Sequence, residues 1–327
     1  MKILVTGASG FLGSALVRQL ILEDGADVRV LVRSSSRLDL LQDLEGRFER
    51  VEGDVTDPES LTDAMTGITQ VYHVAAYIGF GGARDAENLY RVNVEGTAHV
   101  VNAALRAGVA RLVQTSSMAA FGRPRTQDMM IDESLLWQDS KLNSEYAKSK
   151  YAGELEVHRG IAEGLDAVIV NPSLIFGEGR KGEGTMEIVG KVIKGLPAAP
   201  WGATNVVDVL DVAKGHRLAM AHGKTGERYF LGGENLRWTE IVAQLAEAFG
   251  KKAPSRRLHP RLALAAAYVG ETIGKFTGTR PLLTLESARA SMSAYQYSTE
   301  KAERELGYTF RAFRETARRL AGSGLSF

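Results

Sequence analysis

Short β-branched runs alternate with longer helical patterns through the first half of the chain. The apolar runs lie at 2–6, 28–32, 48–53, 70–76, 111–117 and 166–173. The helix-length segments between them lie at about 11–24, 86–108 and 144–163. Continuously apolar strands are buried on both faces, and their alternation with helices is typical of a parallel sheet covered on both sides. The pattern predicts an α/β fold with a doubly wound parallel sheet.

The regular alternation loosens after Pro172. Stretches rich in Gly and Pro at 177–185 and 195–204 are followed by a strand and helix at 206–222 and a strand near 228–231. Most of the remaining sequence has a helical pattern. We expect a first domain over 1–175, which 206–232 rejoins, and a smaller, mostly helical second domain over 176–327.

Composition and charge restrict the classes of function. Forty basic and thirty-nine acidic side chains give a net charge of +1, which provides no broad field for nucleic acid or an anionic membrane. The basic stretch at 251–261 contains two prolines between helical patterns, so we interpret it as a solvated loop in preference to a binding patch.

Cysteine is absent, which excludes disulfides, thiolate metal sites and a cysteine nucleophile, and the six scattered histidines predict no metal site. The chain opens without a signal-peptide pattern, and its longest apolar stretch, 262–270, is too short to span a bilayer. We expect a cytoplasmic protein.

The stretch TGASGFLG at 6–13 lies between the first strand and the first helix. In that context Gly7 permits a tight turn, Gly10 lets the backbone approach a pyrophosphate, and Gly13 allows close packing of helix and strand. The free amides of the helix N-terminus then face the diphosphate. A glycine-rich turn without a ligand is the alternative. The other cofactor-binding candidates in this loop are Ser9, Phe11 and Leu12.

The end of the second strand distinguishes between dinucleotides. An acidic residue there accepts the ribose hydroxyls, whereas a basic residue accommodates a 2′-phosphate. This chain has Arg33, three serines and Arg37, so we favour NADP(H) over NAD(H). The alternative is that both arginines only solvate a strand end.

Three further strand ends supply cofactor-binding candidates. Asp54 ends the third strand, where its carboxylate could accept from the adenine amino group. Ala75 and Ala76 end the fourth strand, where small side chains let a cofactor cross the sheet edge. The remaining candidates at these ends are Val55 and Thr115.

The chemical candidates are Tyr146, Lys150 and Ser117. Tyrosine ordinarily has a pKa near 10, and an ammonium one helical turn away favours the phenolate. Ser117 follows another strand and can hold a substrate carbonyl. A second Tyr-x-x-x-Lys pair, Tyr297 and Lys301, straddles a predicted helix start, so we interpret it as structural.

The ordered set of these motifs resembles the extended short-chain dehydrogenase/reductase family, and most closely its dihydroflavonol-4-reductase-like bacterial reductases. The set comprises TGASGFLG, GDVTD, HVAA, RVNVEGT, TSS, YxxxK, NPS and VVDVLDVA. The resemblance implies that Tyr146 is the general acid/base, that Lys150 lowers its pKa and binds the ribose, and that Ser117 orients the carbonyl. The first domain would bind the dinucleotide and the second the substrate.

The resemblance also implies that Pro172 and Ser173 border the nicotinamide, that Asn93 supports the site from its helix, and that two long helices pair in a homodimer.

Three departures from the family's motifs narrow the range of possible substrates. The arginine that binds sugar diphosphates is replaced by Thr204-Asn205, Met118-Ala119 follows Ser117 where sugar dehydratases have Asp-Glu, and Gly122 stands where plant flavonoid reductases have asparagine.

Aromatic side chains suggest an apolar or aromatic carbonyl substrate, although each is also explained by core or lid packing. The candidates are Tyr77, Phe80, Trp137 and Trp201. We therefore expect an NADPH-dependent reductase of an aldehyde or ketone, with a small-molecule carbonyl or alcohol as its partner. The alternatives are a nucleotide-sugar epimerase or dehydratase and a non-catalytic dinucleotide-binding regulator.

Overall fold

The apolar runs of the first half of the chain form neighbouring strands. The computed structural model of the protein describes residues 1–79, 83–124, 129–277 and 285–324. The strands in these residues are β1 (Lys2–Thr6), β2 (Asp27–Val32), β3 (Glu49–Glu52), β4 (Gln70–His73), β5 (Arg111–Thr115), β6 (Met130–Ile131), β7 (Ala167–Pro172), β8 (Leu174–Phe176), β9 (Ala203–Asp208), β10 (Arg228–Leu231), β11 (Glu234–Arg237) and β12 (Gln296–Tyr297).

The main sheet has a Rossmann strand order. Its strands run parallel in the order β10-β7-β5-β4-β1-β2-β3. The chain proceeds from β1 to β2 on one side and returns to β4 on the other, so the strand order reverses between β1 and β4. Ligands of such sheets bind at the carboxyl ends of the strands beside this point. The predicted fold class is confirmed.

Helices cover both faces of the main sheet. The α-helices in the described residues, of both the main domain and the smaller unit, are α1 (Phe11–Leu22), α2 (Pro58–Met65), α3 (Ala83–Tyr90), α4 (Gly96–Ala107), α5 (Glu145–Ala162), α6 (Thr185–Ile193), α7 (Val209–His222), α8 (Trp238–Ala248), α9 (Pro260–Thr277), α10 (Leu285–Met292), α11 (Glu300–Leu306) and α12 (Phe313–Gly322). On one face α1 packs against α7, and on the other α4 packs against α2 and α5.

The side-chain alternation of β1 explains why both faces must be covered. Val5 is buried with Leu16 of α1, whereas its neighbour Leu4 is buried with Val100 of α4. Because successive strand residues point to opposite faces, an unbroken apolar run has a core on each side.

The smaller unit contains its own sheet. In it β9 pairs in parallel with β8 and antiparallel with β11, and apolar residues of α6, α8 and α12 pack around it. The returning segment 206–232 is therefore divided between the two units. Helix α7 and strand β10 pack onto the main domain, but β9 does not join the main sheet, because β8 turns away directly after β7 and takes β9 as its neighbour.

None of the described helices has the length and apolar composition needed to cross a membrane.

Candidate active site

The glycine loop after β1 lies tightly against the end of β4. Gly7 has φ +70°, and a β-carbon there would lie 2.6 Å from the Ala75 amide nitrogen. A β-carbon at Gly13 would lie 2.1 Å from the Gly7 carbonyl oxygen. Both positions therefore require glycine for packing alone. The Gly10 amide donates to Gly7 O at 3.0 Å and closes the turn.

The first turn of α1 suits an anion. Its N-cap is Gly10, which supplies no side-chain hydrogen bond, whereas Ser144 and Asp208 cap α5 and α7 with their side chains. The amides of the first turn can consequently bind a diphosphate. Leu12 contributes only backbone there, because its side chain is buried in the core. Ser9 presents its carbonyl oxygen to Arg180, at 3.0 Å.

The turn after β2 holds the two predicted arginines in different surroundings. The Arg33 amide donates to Ser36 Oγ at 3.0 Å, and the Ser36 amide donates to Arg33 O at 2.9 Å. The exposed Arg33 side chain makes no ion pair in the described part of the chain. Arg37 instead pairs with Glu183, which precedes α6. The sequence did not indicate this pairing, because 146 positions separate the two residues.

The ends of β3 and β4 complete the nucleotide edge. Asp54 Oδ1 accepts hydrogen bonds from the amide and hydroxyl of Thr56, both at 2.9 Å. Val55 is buried, and Gly96 leaves space beside it, since a β-carbon there would lie 3.0 Å from Val55 Cγ2. Ala75 is half-buried and Ala76 is exposed, so both leave the sheet edge open.

Tyr146 and Ser117 are joined by a hydrogen bond between their hydroxyls. Ser117 follows β5 and also accepts from the Ala119 amide at 3.2 Å. Tyr146 lies in the first turn of α5. Burial raises the pKa of the Tyr146 phenol, and the hydrogen bond with Ser117 lowers it in part. The structure thus brings the proposed acid and the proposed carbonyl-binding hydroxyl together.

Lys150 is buried one turn farther along α5. Its Nζ donates to the Thr115 carbonyl oxygen at 2.8 Å. Burial lowers the pKa of Lys150 to about 8, and the Glu154 carboxylate partly opposes this change. The lowering of the Tyr146 pKa by Lys150 stays a prediction, because the pKa of Tyr146 is shifted here by burial and by Ser117. Desolvation of the phenol dominates, and the ammonium is directed at a carbonyl.

Ser173 offers a buried polar group at the next strand end. Its amide donates to Leu231 O at 3.2 Å, while its Oγ is buried without a hydrogen-bond partner among the described residues. The preceding Pro172 ends β7 and is buried. A buried hydroxyl without a partner among the described residues, at the end of the strand next to β5, fits a polar ligand group such as a nicotinamide carboxamide.

The sequence profile of the NAD dependent epimerase/dehydratase family matches residues 3–232, which is more than half of the chain. The chain belongs to this family.

Relatives and solved structures agree with this membership. A Synechocystis sp. protein named "Putative dihydroflavonol 4-reductase" is 40% identical over 309 residues, which cover 93% of this chain and 88% of that protein. Sterol demethylase protein B of Methylococcus capsulatus is 33% identical, covering 94% and 93%. The crystal structure of gox2253 superposes with a TM-score of 0.83 at 36% identity, covering 97% and 96%. The protein is an NAD(P)-dependent oxidoreductase of the extended short-chain dehydrogenase/reductase type.

Asn93 links several parts of the candidate site. It lies in a π-helical turn, Arg91–Glu95, between α3 and α4. Its Oδ1 accepts from the Tyr77 amide at 2.8 Å, and its Nδ2 donates to Tyr77 O at 3.0 Å and Ser149 Oγ at 2.9 Å. Ser149 Oγ in turn donates to Tyr146 O at 2.9 Å. Asn93 therefore holds the loop after β4 against the first turns of α5, which contain Tyr146 and Ser149.

A buried hydrogen-bond chain connects Asn93 to the glycine loop, and the sequence reasoning missed it. Thr6 Oγ1 lies 2.7 Å from His73 Nδ1, and His73 Nε2 lies 3.2 Å from Thr97 Oγ1, which donates to Asn93 O at 2.8 Å. Burial, reinforced by Lys150, lowers the pKa of His73 to about 3. His73 is thus a neutral structural link, and its place within HVAA was the available signal.

A second buried group supports Ser117 from behind. Asn171 Nδ2 donates to Ser117 O at 3.0 Å and to Glu154 Oε1 at 2.6 Å. Glu154 is 2% exposed and lies 3.6 Å from Arg228 Nη1. His216 Nε2 contacts Thr115 Oγ1 at 2.8 Å, and burial lowers the pKa of His216 to about 4. The spacing of Glu154 one turn after Lys150 was the only sequence signal for this group.

The predicted pocket residues are not all brought together. Tyr77 follows β4 and donates its hydroxyl to Asp85 at 3.1 Å. Trp137 stacks on Tyr151 of α5 with ring centroids 4.4 Å apart. Trp201 is 51% exposed and stacks with Arg257. Phe80 lies outside the described residues. Of these four residues, only Tyr77 and Trp137 have a contact with α5 or its supporting residue Asn93 in the described part of the chain.

Trp137 also explains the glycine at position 122. Gly122 has φ +77°, and a β-carbon there would lie 3.3 Å from Trp137 Cε3 and 3.7 Å from Asn143 Oδ1. The indole occupies the space that a side chain at position 122 would need. Where plant flavonoid reductases have the asparagine side chain, this protein therefore has the indole of Trp137 beside Gly122.

Proposed function

We propose that this protein reduces an apolar or aromatic aldehyde or ketone with NADPH. The observation that carries the proposal is the hydrogen bond between Ser117 and the Tyr146 phenol, whose pKa is raised by burial. A phenol with a raised pKa stays protonated at neutral pH and is available as an acid. The reduction of a carbonyl needs such an acid at its oxygen.

The chain's own residues would act at the carbonyl oxygen. A bound nicotinamide cofactor supplies the hydride to the carbonyl carbon. As negative charge develops on the oxygen, Tyr146 donates its proton there and Ser117 donates a hydrogen bond. Lys150, held by Thr115 O, supplies positive charge behind the phenol and a donor for a ribose hydroxyl.

The residues present fit a dinucleotide. The α1 N-terminus, which has no side-chain cap, suits the diphosphate, and Asp54 retains an oxygen for an adenine amino group. Ser173 Oγ has no hydrogen-bond partner among the residues that the structure describes. Arg33 at the end of β2, which has no ion pair within the described part of the chain, supports a 2′-phosphate and hence NADPH over NADH.

A nucleotide-sugar epimerase or dehydratase is the second candidate, and the residues favour it less. Asn205, near the position of the sugar-diphosphate arginine, is buried and bonded to Gly233 and Asn235. It has no cationic group to offer a diphosphate.

Four further parts of the proposal concern the organisation of the protein. We propose a homodimer formed through α3, α4 and α5, because Tyr90 and Leu155 expose apolar surface on these packed helices. Light scattering would distinguish a dimer from a monomer.

We also propose a cytoplasmic location, a dinucleotide-binding first domain over 1–175 and a substrate-binding domain over 176–327.

The function is tested by NADPH oxidation with a panel of aromatic and aliphatic aldehydes and ketones, with sugar nucleotides alongside. Oxidation that depends on Tyr146 is the expected result. Conversion of a sugar nucleotide without net cofactor change would establish the second candidate instead. Stabilisation by cofactor with no turnover of any compound would favour a dinucleotide-binding regulator.

A further inference from the structure

The segment 177–183 of the smaller unit closes over the nucleotide edge of the main domain. A β-carbon at Gly179 would lie 2.9 Å from Phe11 Cδ2, so the segment rests directly on the glycine loop. Arg180 and Glu183 extend from it toward the turn after β2. We call segment 177–183, together with Asp39 and Arg37 that it contacts, the clasp.

Arg180 is the fixed part of the clasp. Its side chain is 12% exposed. Nε donates to both carboxylate oxygens of Asp39 at 2.9 Å, Nη1 to Ser9 O at 3.0 Å, and Nη2 to Arg37 O at 2.8 Å. One planar guanidinium thus fixes the glycine loop, the turn after β2 and its own segment relative to one another.

Arg37 and Glu183 form the exchangeable part of the clasp. Their side chains are 62% and 55% exposed, and Glu183 is the one carboxylate paired with Arg37 in the described residues. The main chain of Arg37 is held by Arg180, while its side chain has a single solvated ion pair. Such a pair contributes little stability and exchanges readily for a stronger anion.

We propose that Glu183 sets the cofactor preference by competing with the 2′-phosphate of NADPH for Arg37, and that Arg180 holds Glu183 in place to do so. This inference rests on the proposed function. A phosphate carries more charge than a carboxylate and forms bidentate bonds with arginine, so it displaces Glu183. NADH lacks the phosphate and leaves the pair intact. Glu183 thus weakens NADPH binding selectively through Arg37, as a positioning residue, while its other carboxylate oxygen lies 3.9 Å from Arg180 Nη1.

The test compares dissociation constants for NADPH and NADH, measured by calorimetry on the full-length protein. Glu183→Gln is expected to tighten NADPH binding by about two- to fivefold, as expected for an exposed ion pair. NADH binding should stay within twofold. The matched control is Glu187→Gln, which removes the same charge four residues later from a pair with Lys191 and should change neither constant.

Two further variants assign the effect to the clasp. In an Arg37→Gln background, Glu183→Gln should no longer change NADPH binding. Arg180→Gln should weaken NADH binding by about tenfold, because it releases the glycine loop that both diphosphates use. It should weaken NADPH binding less, because Glu183 is then no longer held beside Arg37. Equal changes in NADPH and NADH binding on Glu183→Gln, or an effect that persists without Arg37, would overturn the proposal.

Failure of the proposed cofactor preference gives a different result. If the native protein binds NADH more tightly and Arg33→Gln leaves the NADPH-to-NADH ratio unchanged, the preference for NADPH is wrong. The competition at Arg37 would still be visible as a ratio that Glu183→Gln moves toward NADPH. The two inferences are therefore judged on different variants.

Discussion

The chain contains the spacing Tyr-x-x-x-Lys at 146–150 and again at 297–301, and the two copies lie in unlike surroundings. Tyr146 and Lys150 share helix α5, and Tyr146 bonds to Ser117. Tyr297 lies in β12, stacked on Phe230 with ring centroids 5.2 Å apart, whereas Lys301 lies in α11. The same spacing therefore places one pair on a helix face and divides the other between two elements.

The second lysine is also accounted for by structural contacts. Lys301 Nζ donates to Glu227 at 2.6 Å and to Arg228 O at 2.9 Å, and it lies over the Tyr229 ring. Burial raises the pKa of Tyr297 to about 12. A spacing acquires chemical meaning only when a helix aligns its two residues and a strand end supplies a third group.

The tyrosines allow the most direct test of this difference. Tyr146→Phe should lower kcat for carbonyl reduction by about 10³-fold or more, because the proton donor is lost. Tyr297→Phe removes the same atom from the other copy and should leave kcat within about twofold. Steady-state kinetics with a reducible carbonyl compound measure both. Retained turnover in Tyr146→Phe would contradict its role as the acid.

Replacing the two lysines should also affect kcat differently, with a smaller difference than for the tyrosines. Lys150→Met is expected to lower kcat by about 10²-fold, since the charge behind the phenol is removed. Lys301→Met should instead lower the free energy of unfolding by less than about 1 kcal/mol and leave kcat unchanged. Urea unfolding and kinetics together measure the two outcomes. A large kcat loss in Lys301→Met would show that the second copy is not merely structural.

Asn93 tests whether the catalytic turn depends on its support. Asn93→Ala removes the bonds to Tyr77 and Ser149 and should lower kcat by about 10- to 100-fold, because a small displacement of Tyr146 misaligns proton transfer. The Kd for cofactor should change little. Asn102→Ala, which removes the amide that accepts from Arg159, is the control on α4. Equal losses in both variants would indicate general destabilisation instead of misalignment.

The pH dependence tests the buried lysine. The pKa of Lys150 is about 8, below its ordinary value of 10.5. The rate of reduction should therefore fall as pH rises through about 8 and the ammonium is lost. Between pH 8 and 10.5 the unfolded state binds more protons, so this group's contribution to stability rises with pH. A rate that falls without loss of stability separates titration from unfolding.

Glu154 sharpens this prediction. Its carboxylate raises the pKa of Lys150, so Glu154→Gln should move the fall in rate to lower pH by a few tenths to one unit. Glu156→Gln removes a carboxylate paired with Arg159 on the same helix and should leave the profile in place. An unmoved profile in Glu154→Gln would mean that another group controls the fall in rate.

Local pattern was sufficient for much of the fold. The apolar runs of β1 and β5 and the helical pattern of α5 have short-range signals, and the order of strands and helices follows from them. The π-helical turn at Arg91–Glu95 was not predictable in this way. A β-carbon at Gly153 of α5 would lie 2.5 Å from Asn93 O, so that turn adapts to a tertiary contact.

The candidate site shows the same division. The glycine loop and the Tyr146–Lys150 spacing are local motifs and could be recognised. The pairing of Arg37 with Glu183, the raised pKa of Tyr146 and the Glu154–Asn171 contact arise from residues far apart in sequence or from burial. No single-sequence pattern encodes these effects, because each requires the packed structure.

The late position of α7 and β10 in the chain has a consequence for how the protein folds during synthesis. Val212 and Ala213 of α7 complete the core that contains Val5 and Leu16, and β10 covers the edge of β7. A nascent chain that ends at residue 175 exposes this apolar face and an unpaired parallel edge. We therefore expect the main sheet to be completed only after residues up to about 231 have left the ribosome, and shorter fragments to aggregate.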